Sequence, residues 1–139
     1  MTAQLLLGRD DEVINAVTRL VEASPEFVYE SPVETACVYV FDGAPSCLVG
    51  QAFAAVGVPL DTLEDFDIND DSGLFASTSA STVADNLGLT ERTAFFLEAV
   101  QQRQDVQAPW KDALAHGIEV DAEYDQQGED VEIEVPELL

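Results

Sequence analysis

Residues 37–57, CVYVFDGAPSCLVGQAFAAVG, decide how this chain is read. Cys37, Val38, Tyr39, Val40 and Phe41 are apolar without alternation, which predicts a strand within 35–41 that is buried on both faces. Asp42-Gly43 supplies turn chemistry. Pro45 and Ser46 then set up a helix start, with Ser46 as N-cap, and Gly57 followed by Pro59 ends that helix. Between them, over about 47–56, only Gln51 is strongly polar, so the helix belongs in the middle of a domain. Gly50, Ala52, Ala54 and Ala55 would let neighbouring backbones come close.

Toward the N-terminus, Val13, Ile14, Val17, Leu20 and Val21 form one apolar stripe at helical period. This predicts a packing helix over 10–23, capped by Asp10 or Asp11 and stopped by Ser24-Pro25. Residues 26–30 (EFVYE) read as a short strand, broken by Ser31-Pro32.

Toward the C-terminus, Leu60, Leu63 and Phe66 point inward from a short helix or turn. The carboxylate-rich loop after it places Asp67, Asn69 and Asp71 at positions 1, 3 and 5 of a calcium-loop pattern. Ser72 stands where that pattern has glycine and Thr78 where it has the bidentate Glu, which favours an ordinary acidic turn.

Residues 81–87 and 90–104 predict two helices joined at Gly88, with Thr90 as N-cap. The spacing of Ala84 and Gly88 resembles the helix-turn-helix of bacterial regulators. In that reading 90–104 would enter the DNA groove with Arg92, Thr93, Gln101, Gln102 and Arg103. Phosphate neutralisation needs Lys and Arg, and five such residues stand against 28 Asp and Glu. A short helix over 109–116 follows, with Trp110 as a core anchor and His116 at its end, exposed or capping, beside Gly117. No Ser or Cys carries the marks of a nucleophile and no Cys/His spacing suits zinc, so neither enzymatic activity nor a cofactor is expected.

From Ile118 the pattern alternates strictly: Ile118, Val120, Ala122 and Tyr124 against Glu119, Asp121, Glu123 and Asp125. After Gln126-Gln127-Gly128-Glu129, Val131, Ile133 and Val135 alternate with Asp130, Glu132 and Glu134. Two such runs predict a β-hairpin, or tail extension, over 118–139, added to a globular core at 1–117. Alternate strand residues lie about 6.7 Å apart, so two adjacent acidic strands would approach the charge density of one DNA strand.

The whole chain of 139 residues has a formal net charge of -23 and 47% hydrophobic content. It is long enough to bury a core, and its field repels nucleic acid and anionic membrane while attracting basic protein surfaces. Solubility or adaptation to high salt is the plainer account of such acidity. No run of 18 apolar residues is present and the N-terminus lacks a basic region, so a cytoplasmic protein without a membrane span is expected. Cys37 and Cys47 are too few for a disulfide framework and read as small buried residues.

Cys37-x-Tyr39 with Asp42-Gly43-x-Pro45-Ser46-Cys47-Leu48-Val49-Gly50-Gln51 resembles a group of small uncharacterised proteins encoded by actinobacteria and their phages. Gln101-x-x-Gln104-Asp105 with Trp110 and Ala113 is similar to a second block of the same group. The resemblance implies a setting, phage or actinobacterial cytoplasm, and no mechanism.

The expected fold is α+β, with helices packed around a central buried helix and a small antiparallel sheet. The expected function is a non-enzymatic acidic protein of the DNA-mimic kind, binding a basic host protein through Glu119, Asp121, Glu123, Asp125, Glu132 and Glu134. The alternatives are a helix-turn-helix regulator using Arg92 and Arg103, and a virion structural or assembly protein.

Overall fold

The first helix, α1, spans Asp10–Ala23, as its apolar period predicts, and buries Val13, Ala16, Val17 and Val21. The computed structural model describes residues 5–30, 39–69, 75–77 and 79–138, and the side chains of these except on 67–69, 75–77 and 125–138. Neither Asp10 nor Asp11 caps α1. Arg9 stands at the N-cap with no side-chain cap bond, and its guanidinium instead reaches Glu12 Oε1 at 2.6 Å and Val56 O at 2.9 Å.

The fold is α+β, mostly helical with two small antiparallel ribbons among the described residues. Strands β1 (Val40–Phe41) and β2 (Ala44–Pro45) pair Val40 with Pro45 and Phe41 with Ala44. Asp42 and Gly43 link them at φ 54 and 77, the positive pair that a type I′ hairpin requires. Tyr39 and Val40 are buried, but Phe41 is 49% exposed, so the strand leaves the core at its end; residues 35–38 lie outside the described part.

Helix α2 (Leu48–Ala55) is capped by Cys47, whose Sγ accepts from the Gly50 N–H at 3.4 Å. The expected cap, Ser46, hydrogen-bonds the Tyr29 hydroxyl at 2.7 Å instead. At the other end Gly57 N–H donates to Ala54 O and Val58 N–H to Phe53 O, the paired bonds of a Schellman stop. Leu48, Val49, Gly50, Ala52 and Phe53 are all buried. A Cβ on Gly50 would sit 2.5 Å from Tyr39 O, so only glycine admits this approach of helix to strand segment.

Helix α3 (Leu60–Glu64) leads to the ribbon of β3 (Asp67–Asn69) and β4 (Phe75–Ser77). Helix α4 (Ala80–Asn86), Gly88 at φ 94 and helix α5 (Glu91–Asp105), capped by Thr90, then follow as a helix pair. Although α2 is buried as expected, α5 makes the two most extensive helix pairings, one with α4 and one with α6 (Trp110–Leu138).

Helix α6 corrects the expected C-terminal hairpin. Residues 118–138 continue the helix that was expected to stop near His116, and the proposed boundary at 117/118 falls inside it. Trp110, Ala113, Leu114, His116, Gly117, Val120, Asp121 and Tyr124 are the buried or half-buried positions among those whose side chains are described. They recur every three or four residues, a helical stripe that runs through the alternating segment. The alternation had assigned Ile118 and Ala122 to the same face as Val120, and both are exposed. Gly117 is not a stop but the closest approach of α6 to α5. A Cβ there would lie 2.6 Å from Val100 Cγ2 and 2.9 Å from Phe96 Cε1.

The segment expected as a strand over 26–30 makes one antiparallel bridge, Val28 to Pro109. Its Phe27 carbonyl and that of the preceding Pro25 serve α6 instead: Trp110 N–H donates to Phe27 O and Lys111 N–H to Pro25 O, each at 2.9 Å. These satisfy donors that the start of any helix leaves open. Trp110 is the core anchor that was expected, 4% exposed, with Phe27 set edge-on at 4.7 Å.

Candidate functional site

Among the described residues, two surfaces offer polar chemistry. The first is a cleft of about 550 Å³ where the starts of α1 and α5 meet α6, lined by Gly8, Asp10, Asp11, Ile14, Thr90, Arg92, Thr93 and Asp121. Asp10 Oδ2 accepts from the Thr90 N–H at 2.9 Å and from the Thr90 hydroxyl at 2.8 Å, tying α1 to the N-terminus of α5. Burial pushes the Asp10 carboxyl up, but hydrogen bonds from the Thr93 side chain and from the N–H and hydroxyl of Thr90 outweigh it. The net effect holds the group below the usual carboxylate range.

Across the cleft the Arg92 guanidinium grips Asp121 with both arms, Nε to Oδ1 at 2.6 Å and the terminal nitrogen to Oδ2 at 2.9 Å. Beside it the Tyr124 hydroxyl donates to Glu91 Oε1 at 3.1 Å, which raises the phenol's pKa, and the ring meets Phe95 edge-on at 5.8 Å. The cleft's polar groups therefore hold three helices together. Thr90 also accepts from the Thr93 N–H as N-cap, so its hydroxyl is engaged on both sides. Sequence reasoning passed over Asp10, Glu91 and Tyr124 as linkers, because each finds its partner across a long stretch of chain.

The second surface is the outer side of α6. Glu119 and Glu123 stand one turn apart on it, both exposed. Asp121 does not join them: it turns inward to Arg92. Asp125, Glu132 and Glu134 lie on the helical backbone of α6, and their side chains are outside the described residues. The expected ladder, with all six carboxylates on one face of a sheet, is thus replaced by a helix on which Glu119 and Glu123 face outward and Asp121 inward. Counted by residue, 118–138 still hold nine carboxylates and no Lys, Arg or His. At about 1.5 Å rise per residue this is one negative charge per roughly 3.5 Å of axis, close to the 3.4 Å of a DNA strand.

The residues considered for groove reading are placed differently. Arg92 is held by Asp121, and Thr93 and Gln101 are buried, which leaves Gln102 and Arg103 on the exposed side of α5. Gln101 Oε1 accepts from the Ala80 N–H at 2.9 Å at the start of α4, and its amide donates to the Tyr39 hydroxyl at 3.3 Å. Gln104 Oε1 accepts from the Leu48 N–H at 2.7 Å at the start of α2. Two side chains one turn apart on α5 thereby cap two other helices.

His116 is mostly buried, not exposed or terminal. Its side chain retains 23% of its surface and its Nδ1 lies 3.5 Å from Glu119 Oε1, too far for a good hydrogen bond. Of the candidate calcium ligands, Asp67 and Asn69 sit on the backbone of β3, and Asp71 lies outside the described residues. Among the described residues no three potential metal ligands gather, and no helix is long and apolar enough to cross a membrane. Compared with protein families, with curated proteins and with solved structures, the chain matches none.

Proposed function

We propose that this is a non-enzymatic acidic interaction protein that binds a basic protein surface as DNA would, using the carboxylates of α6. The observation that carries the reading is the charge run of α6: nine carboxylates and no base over 118–138, on one continuous helix. A helix spaces them at close to the density of a DNA strand, with Asp121 drawn inward to Arg92, and a net charge of -23 adds long-range attraction toward a basic groove. The setting that goes with this reading is the cytoplasm of an actinobacterium, with a phage-encoded protein acting on a host partner. Regulation by direct DNA reading draws less support, because the polar side chains of α5 are largely engaged within the fold. A virion assembly role would need self-association, which the same charge opposes.

The experiment is capture from an actinobacterial lysate at graded salt, with duplex DNA as competitor. Wild-type protein is expected to retain basic proteins, to lose them as salt rises, and to compete with DNA for them. The variant Glu119→Gln, Glu123→Gln, Asp125→Asn, Glu132→Gln, Glu134→Gln, with Asp121 kept for its structural pair, should release them at lower salt. Unchanged capture by that variant would remove α6 as the binding surface, and retention of the protein itself on DNA would favour the regulator.

A further inference from the structure

Resting on the reading above, we propose that the outer face of α6 between Asp112 and Glu123 docks a basic amphipathic helix of the partner protein. Two lanes run side by side there. Ala115, Ile118 and Ala122, at i, i+3 and i+7, form an apolar lane on the side turned away from α5. Ile118 keeps 56% of its surface and stands between the exposed Ala115 and Ala122, so the lane is open along its length. Asp112, Glu119 and Glu123, at i, i+7 and i+11, form an acidic lane alongside. The one cation on this face, Lys111, is already paired with Glu26 at 2.8 Å.

Charge complementarity names the occupant. A solvated acidic face needs no exposed isoleucine, and a purely ionic contact would gain nothing from one. A helix carrying Lys or Arg beside an apolar stripe satisfies both lanes at once, and the small Ala115 and Ala122 side chains let its backbone come close. A second copy of this chain does not. In an antiparallel self-pair like lanes face each other, so Glu119 and Glu123 would meet their own copies, and each copy brings its own charge of -23.

The test uses the full chain and two synthetic peptides of identical leucine and lysine content. One places its leucines at i, i+3, i+4 and i+7; the other scatters them. Titration calorimetry at physiological salt should show the amphipathic peptide binding about tenfold more tightly, since it alone can cover Ile118. Ile118→Ser should weaken the amphipathic peptide several-fold and leave the scattered one unchanged, whereas Glu119→Gln/Glu123→Gln should weaken both. Equal binding of the two peptides, with Ile118→Ser silent, would overturn the docking mode while leaving the charge-based function standing. Binding of neither peptide would remove both. Sedimentation showing a dimer that Ile118→Ser dissolves would also overturn it, by assigning the face to a second copy.

Discussion

Gln104 Oε1 accepts a hydrogen bond from the Leu48 N–H at 2.7 Å, joining α5 to the first residue of α2 across 56 positions of chain. Both residues are essentially fully buried, so no water stands ready to replace the acceptor. Gln104→Leu keeps the volume and removes the oxygen. It should cost about 1–3 kcal/mol, the penalty of stranding a buried amide, read as a lower urea midpoint with unchanged slope. Gln101→Leu, which strands the Ala80 N–H, should behave alike.

Gly117→Ala separates the helix from the hairpin that alternation suggested. Helix propensity alone would make alanine stabilising by about 1 kcal/mol. The added methyl meets Val100 and Phe96, both buried, at under 3 Å. The expected outcome is therefore a net loss of about 1–3 kcal/mol, typical of overpacking, visible as a lower melting temperature.

Ala122→Lys makes the complementary check. Ala122 faces solvent on α6, whereas a hairpin would have placed it on the buried face beside Val120. The substitution should change stability by no more than about 0.5 kcal/mol in thermal unfolding, as at other exposed helix positions.

The Arg92–Asp121 pair is half-exposed, with 40% and 31% of the two side chains accessible. A double-mutant cycle on Arg92→Gln and Asp121→Asn should return a coupling of about 1 kcal/mol or less, shrinking with added salt. Its bidentate geometry places it toward the upper end of that range.

Asp10 sets part of the acid limb. Its carboxyl is held below the ordinary value in the folded chain, so the folded state binds its proton later than the unfolded state. The stability this contributes is complete above the unfolded value of about 3.9 and is lost as pH falls through the lower folded value. Asp10→Asn should lower stability at neutral pH and flatten its fall below about pH 4, measured by urea unfolding across pH.

The helices of this protein were legible where apolar period and punctuation agree. The stripe from Val13 to Val21 marked α1 and Ser24-Pro25 its end, and Thr90 with Gly88 marked the join between α4 and α5. Reading failed where one pattern satisfies two periods. Over 118–124 a strict alternation coincides with a stripe set by Gly117, Val120, Asp121 and Tyr124. The inward position of Asp121 depends on Arg92, and no local pattern of hydrophobicity carries that information. Cys47 displaced Ser46 as cap because Ser46 is drawn to Tyr29. The acidity of α6 was plain from composition, but its geometry was not, since like charges stand along a helix as readily as along a strand. Gln101 looked like groove-reading chemistry and is instead, with Gln104, a joint of the core, because the Ala80 and Leu48 amides that they serve lie far away in the chain.

Those joints also order events in time. Helices α4, α5 and α6 pack on neighbours close in sequence, contacts that cost little loop entropy and are expected to form early. The Leu48 and Ala80 amides give up water for protein acceptors only when α5 presents its two glutamines, so the docking of α2 is expected to follow the formation of α5. The Leu48 amide should consequently exchange its hydrogen only when the whole chain opens, making one proton at the start of a short helix a reporter for the global unfolding of the protein.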